Sequence, residues 1–167
     1  MTTPGWYNEG KKLTEGEVYA FTFEKLITLS DGEDYMVMED PFGIRHMIMY
    51  KYYMNYGLKP GTTVHCMVDK INCTGRVFLE PEHPVYKTGK KFLFEFIRIQ
   101  PCADLSERSE IVVRDIFGNE ITTEFNNGNV PRQISGGLYC QVEGFKKGLP
   151  VLHTGNPVNQ MLFFDKD

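Results

Sequence analysis

The sequence predicts an all-β protein built as two tandem copies of a small five-stranded barrel. Three observations predict it: aromatic residues on every second position, turn residues at short intervals, and a second half that repeats the first. The 167-residue chain carries 12 Phe, 9 Tyr, 16 Gly and 9 Pro. Aromatic side chains favour pleated strands, while Gly and Pro favour tight turns, so this mixture disfavours helices. Apolar residues make up 41% and charged residues 24%, the balance of a globular chain rather than a disordered one.

The repeat is read directly. Gly16 opens Gly-Glu-Val-Tyr-Ala-Phe-Thr-Phe, and 73 residues later Gly89 opens Gly-Lys-Lys-Phe-Leu-Phe-Glu-Phe. Tyr19, Phe21 and Phe23 thereby match Phe92, Phe94 and Phe96, each set placing one face of a strand in a core. Asp40-Pro41-Phe42-Gly43 recurs as Asp115-Ile116-Phe117-Gly118 at an offset of 75, and Val64, Cys66 and Val68 recur as Leu138, Cys140 and Val142 at 74. Phe78-Leu79 matches Val151-Leu152 and Pro84 matches Pro157, both at 73. Offsets that drift by one or two between elements are what loop insertions and deletions produce.

In the first copy the expected strands are residues 17–28, 35–39, 44–50, 62–71 and 76–80. Asp31-Gly32 marks the first loop, residues 41–43 the second turn and residues 73–75 the last. Residues 51–57 fit a short helical turn ended by Gly57. Five strands with a small helix between the third and fourth describe an OB-type barrel. The expected organisation is an N-terminal extension (1–15), a first OB-like domain (16–86), a second (87–157) and a C-terminal tail (158–167). Residues 82–88, which follow Pro81 and contain Pro84, are too short for a free linker, so close packing of the barrels is expected. A single ten-stranded barrel or sandwich is the competing architecture.

Charge and cysteine usage bound the function. The net charge is −4 with a pI near 5.6. Residues 1–86 hold 8 basic against 12 acidic side chains and the remainder 10 against 10, so neither half is basic overall. That balance argues against global steering toward phosphate and leaves only a local patch. Residues 1–12 are polar, without the apolar core of an export signal, and no apolar run approaches the roughly 20 residues of a membrane span. The expected location is the cytoplasm, with Cys66, Cys73, Cys102 and Cys140 reduced and no membrane partner.

Some segments of the first copy resemble the ribosomal S-one type of RNA-binding domain, itself an OB-fold module. They are Gly43-Ile44-Arg45-His46-Met47-Ile48, Leu58-Lys59-Pro60-Gly61 with Val64-His65-Cys66-Met67-Val68, and Asn72-Cys73-Thr74-Gly75-Arg76-Val77-Phe78-Leu79. The likeness covers about 65 residues. It implies a histidine, His46, on the RNA face of the third strand and an aromatic near Tyr35 on the second. Asn72 stands where that family usually has Asp. In the second copy Gly118-Asn119-Glu120-Ile121 replaces Gly43-Ile44-Arg45-His46, and Leu149 replaces Arg76. If RNA is bound, the first copy is therefore the expected binder.

The candidate nucleic-acid-binding residues are Tyr35, Arg45, His46, Lys70 and Arg76. Tyr35 and His46 would stack on bases, and the three cations would meet phosphates if they share a face. Phe42 is left out because its counterpart Phe117 persists in the copy that lost the other elements, which points to packing. Residues 50–56, rich in Tyr, are read mainly as core. His65 and Cys66 are adjacent on a strand and point oppositely, and no Cys-x-x-Cys pair exists, so no metal site is expected. No phosphate loop, nucleophile elbow or dinucleotide fingerprint is present, and no spacing supports a triad from Asp115, Glu95 and His153. The expectation is a non-enzymatic binder of RNA or single-stranded nucleic acid, without cofactor. The alternative is a protein-interaction module on the same scaffold.

Overall fold

The computed structural model describes residues 12–101, 109–125 and 136–153. The expected N-terminal stretch up to Lys11, Cys102, the connection 126–131, Pro157 and the tail 158–167 lie outside the described residues. Among the described residues ten strands follow one another: β1 (Val18–Thr28), β2 (Asp34–Glu39), β3 (Arg45–Met49), β4 (Thr63–Ile71), β5 (Val77–Pro81), β6 (Lys91–Pro101), β7 (Ser109–Arg114), β8 (Glu120–Phe125), β9 (Gly137–Lys146) and β10 (Leu149–His153). They form two five-stranded antiparallel sheets, ordered β3-β2-β1-β4-β5 and β10-β9-β6-β7-β8. In the first, β3 approaches β5; in the second, β8 runs beside β10 and nearly closes the sheet. The fold is all-β, two tandem OB-like barrels.

Alternation builds each core. In the first barrel Phe21, Phe23, Met36, Met38, Cys66 and Val68 are fully buried; in the second Ile111, Val113, Leu138, Cys140 and Val142 are. Burying each of the larger side chains contributes about 1.5–3 kcal/mol. Phe21 faces Val64 across β1–β4, and Phe94 faces Leu138 across β6–β9, so the repeat read in sequence is also a repeat in register. Bulges recur too: one between Phe23 and Lys25, one between Phe96 and Arg98. Residues 50–56 form two single 3-10 turns, Tyr50–Tyr52 and Met54–Tyr56, and Gly57 ends them with a left-handed φ of 72°. Tyr53 and Tyr56 are core residues. Tyr53 donates its hydroxyl to the buried Glu80 carboxylate at 2.9 Å, and Tyr56 packs edge-on against buried His83.

The chain divides into two compact units after Pro84. This moves two expected boundaries. Tyr86, assigned to the end of the first domain, stacks on Phe94 at 4.9 Å and accepts the Ile116 N–H at 2.8 Å, inside the second core. Leu13, assigned to an extension, is buried, and Glu15 accepts the Ile71 N–H at the end of β4. The two positions are equivalent. The backbone bond Glu17 N to Thr14 O recurs as Lys90 N to Lys87 O, so each copy begins with an apolar plug ahead of its first strand.

Candidate nucleic-acid interface

Three hairpins share one turn chemistry, and it fixes where the candidate residues point. Asp40 Oδ1 accepts the N–H groups of Phe42 (2.8 Å) and Ile44 (2.9 Å), and Asp115 Oδ1 accepts those of Phe117 (2.9 Å) and Asn119 (2.8 Å). Asn72 Oδ1 does the same for Thr74 (3.1 Å) and Arg76 (2.8 Å), so an amide oxygen serves the turn as well as a carboxylate. The tight return needs a left-handed residue, supplied by Gly43 (φ 87°) and Gly75 (φ 84°).

His46 does not lie on the face that the resemblance implied. On β3 Arg45 and His46 alternate, and His46 pairs with the buried Met38 while Arg45 pairs with Glu39. His46 therefore turns inward. Its ring packs edge-on against Phe21, and Nε2 stands 2.9 Å from Asp40 Oδ2, with side-chain exposures of 11% and 2%. An ionised carboxylate only accepts, so Nε2 carries the proton and donates. His46 completes the bonding of a buried carboxylate. The second barrel solves the same problem differently: Asn119 Nδ2 donates to Asp115 Oδ2 at 3.0 Å, and the position of His46 becomes buried Ile121.

Arg45 is exposed but engaged. Its Nε donates to Glu24 Oε2 at 2.8 Å. That bond holds the Glu24 carboxyl below the usual range, while a hydrogen bond to Glu24 pushes its neighbour Glu39 up. The charge of Arg45 is partly compensated by Glu24.

Tyr35 begins β2 on the outer face, half-buried, donating its hydroxyl to Asp31 Oδ2 at 2.8 Å. This bond pushes the phenol up and, with the Glu33 N–H, holds the Asp31 carboxyl down. The positive charge of Arg76 acts on Tyr35 in the opposite sense. Arg76 stacks its guanidinium over the exposed ring of Phe78, 5.0 Å from its centroid, and Lys70 pairs with Phe78 across β4–β5. Of the five candidates, Arg76 and Lys70 meet at Phe78, Tyr35 is bound to Asp31, Arg45 is paired with Glu24, and His46 turns inward. The sequence reading did not single out Phe78, although the expected strand 76–80 already puts Arg76 and Phe78 two apart, on one face.

The outer face holds further residues that the sequence reading did not single out. Directly paired residues share a side: Lys25 with Val37, Ile27 with Tyr35, Val37 with Met47, and Tyr35 with Met49. Ile27, Tyr35, Val37, Met47 and Met49 thus share one side of β1, β2 and β3, where Val37 is buried and Ile27, Tyr35 and Met49 are half-buried. Met47 is 43% exposed at its middle.

Phe42 is 39% exposed and meets Tyr19 edge-on at 6.5 Å, at the tip of the β2–β3 turn. Cys66 and Cys140 are fully buried at equivalent positions; burial pushes the Cys66 thiol up and that of Cys140 up to about 12. His65 is exposed on the opposite side of β4 from Cys66. Among the described residues, no group of three His, Cys, Asp or Glu side chains is arranged to hold a metal, and no helix is long and apolar enough to cross a membrane.

No protein-family model and no curated protein matches the chain. One solved structure is similar, the molybdate-bound crystal form of the cytoplasmic molybdate-binding protein ModG, at 13% sequence identity and a TM-score of 0.26, over 70% of this chain and 79% of that one.

Proposed function

We propose that the first barrel binds a single-stranded nucleic acid, RNA in the first instance, along its β5 edge. The observation that carries this reading is the Arg76 guanidinium over the exposed Phe78 ring, with Lys70 opposite. An aromatic ring kept in solvent beside two cations is the combination that single-strand binders use: the ring or the guanidinium plane stacks on a base, and the charges meet the phosphates. The S-one-like segments around Asn72–Leu79 support the same choice. Tyr35, on the outer face of β2, is the second platform.

The test is fluorescence anisotropy of a labelled single-stranded RNA with the wild-type chain and with Arg76→Glu. Salt-sensitive binding that drops at least tenfold in the variant supports the reading. No binding at low salt and high protein concentration rejects it. A protein-interaction module is the second reading, and one observation favours it: the ion pairing of Arg45 leaves the outer face of β1–β3 apolar rather than cationic.

A further inference from the structure

We infer that the chain pairs with a second copy of itself through the outer face of β6 and β9, about a two-fold axis that crosses the strands at Leu93 and Tyr139. This surface belongs to the second barrel and is independent of the nucleic-acid reading of the first.

Alternation along β6 sets the face. Lys91, Leu93 and Glu95 stand outward and are exposed, while Phe94 among them is buried. Leu93 lies directly opposite Tyr139 on β9, so the two share a side, and they are 53% and 38% exposed. The rows to either side pair Lys91 with Gln141 and Glu95 with Gly137. A Cβ at Gly137 would stand 2.8 Å from Leu93 Cδ1 and 2.9 Å from the Phe94 carbonyl oxygen. The missing side chain thus lets Leu93 reach across toward β9, which widens the apolar patch.

Two large apolar groups on an exposed sheet face mean little by themselves. Their flanks name the occupant. Along β6 the outward column reads cation, leucine, anion: Lys91, Leu93, Glu95. A two-fold axis lying in the face and crossing the strands at Leu93 reverses that column in the second copy. Leu93 then meets Leu93, Tyr139 meets Tyr139, and each Lys91 meets the Glu95 of the other copy. Among the described residues Lys91 makes no ion pair, and Glu95 is bound by Arg114 through Oε2, at 3.4 Å. The apolar pair supplies contact and the charges set the register.

Charge at longer range permits the same pairing. Residues 87–167 hold 10 basic and 10 acidic side chains, so two second barrels do not repel each other. The first barrel offers no equivalent. Its outward column on β1 is Val18, Ala20 and Thr22, with His65 and Thr63 at the places of Tyr139 and Gly137. Residues 1–86 also carry 8 basic against 12 acidic side chains, so two first barrels repel.

The test is sedimentation equilibrium of the full chain without RNA, from micromolar to about millimolar protein, the range expected of a small interface. The inference requires a reversible rise from 19.2 kDa to twice that mass and no further. Lys91→Glu and Glu95→Lys should each weaken the dimer on the order of tenfold, because like charges then face each other. The combined exchange should restore it, because the reversed column is again self-complementary. The lysine placed at 95 lies beside Arg114, but both positions are exposed and solvent screens that contact. Leu93→Lys should abolish pairing, and Tyr139→Ser reads the same face from β9. Unfolding midpoints equal to the wild type show that the variants fold. A chain that stays monomeric throughout, growth beyond the dimer, or a dimer indifferent to Leu93→Lys and Tyr139→Ser overturns the inference. An exchange variant that folds without recovering also overturns it, and gives the face to a partner of different sequence.

Discussion

The two barrels carry the same hairpins with different chemistry. In β4–β5, Arg76 and Phe78 stand outward with Lys70 across from Phe78; in β9–β10 the same register holds Leu149, Val151 and Gly144. On the outer face, Tyr35, Arg45 and Met47 of the first barrel become Glu110, Glu120 and Thr122. The second barrel ties that face up with its own polar groups: Arg98 bonds to Glu120 (3.0 Å) and Gln100 (2.9 Å), and Gln100 bonds to Glu110 (2.9 Å). What is shared between copies, the Asx turn and the inward Phe, Cys and Val, maintains the barrel. The differences at Tyr35, Arg45, Met47, Lys70, Arg76 and Phe78 lie outward. His46 is instructive because it differs between copies yet faces inward. Difference alone does not make a residue functional when the partner position compensates, as Asn119 does.

The largest expected effect tests the shared part. Asp40→Ala removes a buried acceptor from two backbone N–H groups and from His46, and Asp115→Ala does the same to the second turn. Each is expected to cost about 3 kcal/mol. Chemical denaturation measures it, and losses below about 1 kcal/mol in both would show that the turn is not what holds the hairpin. Next, His46→Ile leaves Asp40 Oδ2 without its donor and should cost about 2 kcal/mol with RNA affinity unchanged. Adding Ile44→Asn imports the second barrel's donor at the equivalent place and should recover most of that loss. An RNA defect in His46→Ile would return the ring to the binding site.

The outward part is tested by converting one hairpin into the other. Arg76→Leu with Phe78→Val gives the first barrel the residues of the second, and RNA affinity should fall by about tenfold or more, near 1.4 kcal/mol. Both side chains are exposed, so the unfolding midpoint should hold; retained affinity would place the interface elsewhere. The smallest effect concerns Arg45. Its bond depresses Glu24, so what Glu24 contributes to stability is present above the ordinary carboxyl value of 4.5 and is lost as pH falls through the lowered folded value. Arg45→Gln should move the Glu24 titration upward, read by carboxyl-carbon NMR, with RNA affinity little changed. An unmoved titration would mean that the pair does not persist in solution.

Much of this was legible in the sequence. Period-two aromatics, Asx-x-x-Gly turns and a repeat near 73–75 residues give strand positions to within one or two residues, because alternation and turn chemistry are local. Arg76 and Lys70 were proposed from turn position and residue type, and Tyr35 from the family resemblance. The error on His46 was avoidable. Arg45 and His46 are adjacent on a strand, so period two already forbids one face for both, the same reasoning that separated His65 from Cys66.

The sequence by itself determined the number of barrels, their strands, the inward residues and the positions at which the two copies differ. Each of these depends on contacts close along the chain or on comparison of the copies. Only the tertiary structure decided which charges are free and where each copy begins. Arg45 meets Glu24 across 21 residues. Tyr86 reaches across 30 residues to close the second core. Charge pairing and core closure depend on strand register between distant segments, and register is set by the packing of the whole sheet.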